Sequence, residues 1–597
     1  MVKIAIIDSG VEEEHEKLKE YKFKGINIEF DDKYFVNQDI KDTVGHGTAI
    51  TYQIKKLIPN SEIYIIKLFD SYKETTTEDL IFALNYIYEN LDIDIIHISN
   101  GVTETTQKIE LEEICNRLIE KGIIIVAAFD NNGAISYPAA YKSVIGVDWN
   151  IDCINPTDYF MVKNSSVNFL AIGREQRLPW INNSYKNVSG SSFAAPYITA
   201  KISNLINKKI KSKSEIMDIL EHSAISVLKV KEEEALSKIG EINNAIIFPF
   251  NKEIHSIIRF KDMLKFDISG IYDYRLTCNI GSQIIDNKKF LVQDLRKINW
   301  NDKFDTFILG HTRILSNLAK EDFIIYILKK CIEYKKNLYA FDSLNKYEDL
   351  LKILKSQGNW VYYPYVCEEN ISNKNLNKLH EISIPVLGIF GTSSKQGKYT
   401  LQLNLRKALL EKGYKIGQLG TEPSALLFGM DFCYPIGYDS TVNIRGKESI
   451  IFINEKLSKI DNGENDIILV GSQSQTIPYT SGNIGFYPLA QHELLLASNP
   501  DAIILCVNVT DEIEYIERTI SYIESLTQGK IIALVLFPLL KNNKWSITGN
   551  NYYKVSNIEL KKCKKILNNY FNKNVFILNE NEEINLLVES IIEYFKE

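Results

Sequence analysis

Short, almost unbroken apolar runs alternate with longer mixed stretches along this chain, a rhythm that predicts buried parallel strands separated by helices. Val2-Lys3-Ile4-Ala5-Ile6-Ile7 and Ile123-Ile124-Ile125-Val126-Ala127-Ala128 read as such strands. The mixed stretch from Ala49 to Ile54 reads as a helix that His46 opens. Phe193 to Ile206 reads as another, with Pro196 tolerated in its first turn. A further helix ends near Ala224, and the charged stretch Lys229 to Lys238 reads as a helical connector. From about 254 the alternation resumes. Phe304 to Gly310 predicts a strand running into a turn, Ile324 to Tyr334 an amphipathic helix, Asn337 to Phe341 a strand, and Ile384 to Phe390 a strand followed by a helix through Leu410. At 597 residues the chain is too long for one core. The pattern predicts α/β domains at 1–225, 254–380 and 381–597, joined by the connector 226–253.

Three strings punctuate the first domain in the order acid, base, nucleophile: Asp8-Ser9-Gly10, His46-Gly47-Thr48 and Gly190-Ser191-Ser192-Phe193-Ala194-Ala195-Pro196. A serine hydroxyl is a weak nucleophile at neutral pH, so an imidazole must take its proton and a carboxylate must hold that imidazole. Ser192, His46 and Asp8 suit those roles. Asp8 ends a strand, where open α/β sheets keep their sites, and Ser192 opens a helix. The order Asp, His, Ser and the motifs around each residue resemble the subtilisin-like serine proteases over about residues 1–225. Ser191 stands where that family has Thr.

The resemblance implies a subtilisin-like parallel-sheet domain with serine endopeptidase activity. It also implies an oxyanion-binding asparagine at Asn131, with Asn132 as the alternative, although Asp130 replaces the glycine usual before it. Ser99, Asn100 and Gly101 resemble the segment that pairs with an extended substrate, and Asn100 in place of the usual leucine implies a more polar pocket.

The last domain carries a strand, a glycine-bounded loop and a helix over Gly391-Thr392-Ser393-Ser394-Lys395-Gln396-Gly397-Lys398-Tyr399-Thr400. Loop N–H groups and a lysine in such an arrangement cradle phosphate. Five residues lie between the glycines and Tyr399 follows Lys398, so the loop departs from the strict pattern. Gly391, Thr392, Gly397, Lys398, Tyr399 and Thr400 are the candidate nucleotide ligands, with ATP or another nucleotide and Mg²⁺ as the expected cofactor. Proteolysis itself needs none.

With the segments at 417–421, 466–473 and 499–506, the region resembles a bacterial P-loop family related to dethiobiotin synthetase, which includes a D-amino-acid N-acetyltransferase. That family pairs a Rossmann-like domain with a P-loop domain, and Gly270 to Arg275 resembles the start of the former. Gly471 stands where the family has Glu, which implies nucleotide binding without efficient hydrolysis. Glu422, Asp431 and Asp439 are candidate substitutes.

The net charge of −7 gives no basic footprint for nucleic acid. No apolar run is long enough to cross a bilayer. Eight cysteines are scattered without a Cys-x-x-Cys pair, so neither a disulfide framework nor a zinc site is expected. The chain begins on its catalytic strand, leaving no room for a signal peptide or prodomain, and a cytoplasmic enzyme is expected. The pairing of domains resembles peptide-maturation proteins of bacterial natural-product clusters. The leading expectation is therefore an endopeptidase acting on a precursor peptide, with a C-terminal module that binds a nucleotide or the peptide. The alternatives are an ATP- or acetyl-CoA-dependent ligase or acyltransferase with an accessory protease half, and a non-catalytic peptide-binding scaffold.

Overall fold

Ile4 and Ile6 face one side of the strand Lys3–Asp8 (β1) while Ala5 and Ile7 face the other, and all four are buried because helices cover both faces. A strand covered twice shows no alternation, which explains the continuous apolar run. The computed structural model describes the chain apart from residues 71–74, 278, 285–286, 438, 481, 485–486, 542–551, 579 and 597.

After β1 come β2 (Lys24–Asp31), β3 (Lys33–Asn37), α1 (His46–Leu57), β4 (Glu62–Lys67), α2 (Thr77–Asn90), β5 (Ile95–Ile98), α3 (Lys108–Glu120), β6 (Ile124–Ala128) and β7 (Ile145–Trp149). They are followed by β8 (Tyr159–Lys163), β9 (Phe169–Ala171), the hairpin β10 (Gln176–Trp180) and β11 (Ser184–Val188), α4 (Ser191–Asn207), α5 (Lys213–Ser223) and β12 (Ser226–Lys229). One sheet runs in the order β12-β8-β9-β7-β6-β5-β1-β4-β2-β3. From β7 to β2 every pairing is parallel. Helices α1 and α4 cover the Ile4 face, and α2 and α3 the Ile7 face. Because β4 pairs on one side of β1 and β5 on the other, the crossovers part at β1, and Asp8 stands at the resulting crevice.

Two local readings are corrected. Helix α4 begins at Ser191, so Pro196 lies in its second turn, where it removes the bond a backbone N–H would make to the carbonyl of Ser192. The stretch 229–238 is not helical. Its beginning is drawn into the sheet as β12 against β8, and Glu234 N–H and the Ser237 hydroxyl bond the carbonyls of Glu369 and Tyr363, so the chain stays extended.

Contacts gather residues 1–233 and 372–383 into one unit, and 234–371 with 384–597 into a second. In the second unit the strand Asn244–Phe248, inside the stretch read as connector, is central to a sheet. Four apolar residues before a proline carry too short a signal to separate it from a linker. Its parallel neighbours run Asn287–Asp294, Asp267–Asp273, Asn244–Phe248, Thr306–Leu309, Asn337–Ala340, Val361–Tyr362, the 3-2-1-4-5-6 order of a Rossmann-like sheet. A second parallel sheet runs Phe432–Cys433, Ile416–Gly420, Ile467–Gly471, Val386–Gly391, Ala502–Asn508, Lys530–Phe537, Asn574–Ile577. The chain is thus an α/β protein with a subtilisin-like sheet followed by Rossmann-like and P-loop sheets. Among the described residues no helix is long and apolar enough to cross a membrane.

Candidate active site

Asp8 is fully buried at the end of β1, and its carboxylate accepts from His46 Nδ1 at 2.8 and 3.0 Å. Gly47 makes this approach possible, since a Cβ there would lie 2.3 Å from the Gly10 carbonyl and 3.2 Å from Asp8 Oδ1. A carboxylate that sequence reading passed over also fixes the start of α1. Asp42 accepts from the N–H groups of Val44, Gly45 and Thr48 and from the Thr48 hydroxyl. Its only sequence signal is an acid four residues before the histidine. Burial opposes a charged imidazole at His46, but the charge and hydrogen bond of Asp8, with Asp42 further away, outweigh it and raise the His46 pKa above 6.5.

Ser192 is the second residue of α4, and its hydroxyl donates to the Ser99 carbonyl at 2.7 Å, not to His46. The His46 ring lies 5.2 Å from the ring of Phe193, the next residue after Ser192. The structure therefore joins Asp8 to His46 and turns the Ser192 hydroxyl toward the segment Ser99–Gly101. Rotation about χ1 redirects the hydroxyl, and hydrogen bonds of this kind commonly tighten only when substrate binds.

Asn131 is held by its acceptor side. Its Oδ1 accepts the Ser191 N–H at 2.8 Å, with the Ser191 hydroxyl oxygen 2.9 Å away, so Nδ2 is left to donate outward. The Ser191 hydroxyl donates to the Phe129 carbonyl. Gly190 has φ +120°, and a Cβ there would lie 2.3 Å from Asn131 Oδ1. Asp130 Oδ2 accepts the Asn132 N–H at 2.7 Å, which engages that carboxylate within its own loop. Ser99, Asn100, Gly101, Asn131 and Ser192 line one cavity of about 290 Å³. Asn100, Asp130, Thr75 and Ser99 share its wall with Leu68, Phe69, Leu80 and Phe129, so polar and apolar groups line it in like measure.

A second cavity, of about 270 Å³, is lined by Gly397, Lys398, Tyr399 and Thr400 together with Glu422, Ser424 and Gln473. Gly391 and Thr392 are not among its lining residues. Thr392 is buried and bonds Asp511 and the Cys506 carbonyl. Lys398 Nζ bonds the carbonyls of Ser393 and Ser474 at 2.7 and 2.8 Å, and Gly397 precedes the helix with φ +72°. At Gly471 a Cβ would lie 2.1 Å from the Gln402 amide, so Gln402 fills the room an acid would need. Asp431 bonds the Gln418 N–H and Asp439 pairs with Arg313, leaving Glu422 alone of the three candidates in the cavity. The loop and Lys398 fit a phosphate, and Glu253 and Glu422 are the acids that line this cavity while position 471 carries none. Among the described residues no cluster of three or more metal-ligating side chains occurs.

Residues 1–241 match the subtilase family, Peptidase_S8. The N-terminal domain is a subtilase, a serine-type endopeptidase domain. Residues 375–536 match a P-loop domain of unknown function, DUF1611. The major intracellular serine protease of Bacillus subtilis (strain 168) is 27% identical over 218 residues, which are 34% of this chain and 67% of that protein. Subtilisin of Bacillus pumilus is 24% identical over 241 residues, 37% of this chain and 83% of the relative. Among solved structures, the nisin leader peptidase NisP from Lactococcus lactis is 18% identical, over 38% of this chain and 85% of that one, with a TM-score of 0.32.

Sequence reading also passed over a buried histidine of the subtilase domain. His97 on β5 bonds the Thr199 hydroxyl through Nδ1 at 2.8 Å and the Ser99 hydroxyl through Nε2 at 2.9 Å. The signal was a single polar residue inside Ile95-Ile96-His97-Ile98. Burial pushes its pKa down to about 4, with His46 adding to the drop and Asp8 opposing it, so the ring is neutral at pH 7.

Two pH responses follow. Between pH 6.5 and about 4 the unfolded chain binds a proton that folded His97 refuses, so stability falls with pH across that window. The loss is about 3 kcal/mol for this residue, and denaturant melts of wild type and His97→Asn should show a flatter slope in the variant. The base His46 must be neutral to act, so kcat/KM should rise with pH through a limb centred above 6.5. Asp8→Asn should move that limb downward and reduce kcat by about 10⁴, as pH–rate profiles would report.

Proposed function

We propose that this protein is a cytoplasmic serine endopeptidase that cleaves a precursor peptide, and that its second unit binds a nucleotide or the peptide itself. The observation that carries the reading is the Asp8–His46 pair set beside a cavity lined by Ser192, Asn131 and the segment Ser99–Gly101. Ser192 Oγ attacks the scissile carbonyl while His46 Nε2 takes its proton, and Asp8 holds the opposite N–H. Asn131 Nδ2 and the Ser192 N–H receive the oxyanion. His46 then gives the proton to the leaving amine, and water releases the acyl group by the same route.

Similarity to an intracellular serine protease supports the compartment, as do seven described cysteines that are all unpaired. At the second cavity, Lys398, Thr400 and the helix N-terminus would hold phosphate oxygens, and a nucleotide there would supply a binding signal. With Gln402 against Gly471, hydrolysis forms no part of the reading.

A fluorophosphonate probe should label the wild-type chain once, at Ser192. Ser192→Ala should lose labelling and reduce peptide cleavage on the order of 10⁶. Cleavage that survives this substitution removes the proposal. Calorimetric titration with ATP should show binding that weakens at least about tenfold, or 1.4 kcal/mol, in Lys398→Ala. Equal affinity in both proteins, or steady phosphate release, would overturn the nucleotide reading while leaving the peptidase intact.

A further inference from the structure

Between the two sheets of the second unit the chain leaves that unit at Ile371, lays residues 372–383 on the subtilase domain, and returns at Ile384. This strap meets the peptidase behind the cavity lined by Phe129, Asn131 and Ser192. The Leu379 carbonyl accepts the N–H of Ile135 at 2.8 Å. Ile135 is fully buried in the loop 130–137 that carries Asn131, and a buried N–H without an acceptor is costly.

One residue further on, His380 Nδ1 lies 3.4 Å from the Tyr137 hydroxyl, and Asn375 Nδ2 steadies its other ring nitrogen at 3.1 Å. Tyr137 pairs through its backbone with Val102, directly after the segment Ser99–Gly101. At the strap's end the Ser383 hydroxyl accepts the N–H of Thr105 at 2.9 Å, so the same twelve residues touch both the oxyanion loop and the continuation of the substrate segment.

Two anchors hold the strap in place. Lys378 pairs with Asp148 at 2.8 Å, both side chains being at most 15% exposed, and its ammonium lies 5.6 Å from the ring centre of Phe129. The Phe129 carbonyl receives the hydroxyl of Ser191, the residue whose N–H bonds Asn131 Oδ1. Leu376 packs among the core residues on the Ile7 face of the sheet.

We propose that the strap is a working part of the peptidase, with Lys378 and His380 as positioning residues that hold loop 130–137 so that Asn131 meets the developing oxyanion. This rests on the reading of Ser192 as nucleophile and Asn131 as oxyanion donor. A residue acting in this way changes kcat more than KM, because the oxyanion exists only beyond the ground state. Its effect also disappears once the donor it positions is gone.

The test is a double-mutant cycle in the full-length chain, with cleavage measured on a peptide substrate selected from a library. Lys378→Met with His380→Ala should lower kcat about tenfold and leave KM within about twofold, and Lys378→Arg should retain most of the activity. In an Asn131→Ala background the same pair should cost almost nothing further. Equal losses in both backgrounds, or an unchanged kcat, overturn the proposal. Should the double variant fail to fold by circular dichroism, His380→Ala alone carries the same cycle with the same two outcomes. A wild-type chain that neither cleaves nor labels at Ser192 would sink the underlying peptidase reading instead, and fluorophosphonate labelling separates that result from failure of the strap.

Discussion

The hydrogen bonds between His46 Nδ1 and the buried carboxylate of Asp8 depend on the position of β1 in its sheet. An unpaired carboxylate at that depth would be expensive, and it is satisfied because His46 and the Ser9 N–H converge on it. That convergence requires the N-terminus of α1 to sit almost in contact with the turn after β1. Glycine at 47 gives the necessary room, and Asp42 ties the preceding turn to the same helix end.

A second layer of polar contacts sets the other half of the site. Ser191 bonds Asn131 on its acceptor side, so the amide can present only its donor to the cavity. His97, neutral and doubly bonded, fixes Ser99 from below, and the Ser99 carbonyl in turn receives the Ser192 hydroxyl. His97, Ser99 and Ser192 are buried, and there each bond is stronger and each missing partner more costly than at the surface. The strap 372–383 extends the same logic, since the buried N–H of Ile135, in the loop that carries Asn131, is satisfied by a residue more than two hundred positions later in the chain.

The P-loop domain shows what happens when one member of a familiar arrangement is replaced. Its glycine-bounded loop, helix N-terminus and lysine remain, while Gly471 and Gln402 fill the acid's place together. Phosphate binding depends on the parts that are kept, and metal-assisted transfer depends on the part that is not.

Local chemistry was legible in the linear sequence. Apolar runs covered on both faces announce parallel strands, and the strings around Asp8, His46 and Ser192 announce a hydroxyl, an imidazole and a carboxylate at the ends of such elements. These signals survive because they are short in range. Tertiary structure alone decided what depends on contacts between distant residues. It turned Ser192 toward Ser99, placed Gln402 against Gly471, drew Val227 and Leu228 into a sheet edge, and made Asn244–Phe248 a central strand. It also carried residues 372–383 back onto the first domain. Neither the composition nor the periodicity of that segment marks it, because what holds it there is a set of buried partners supplied by the rest of the fold.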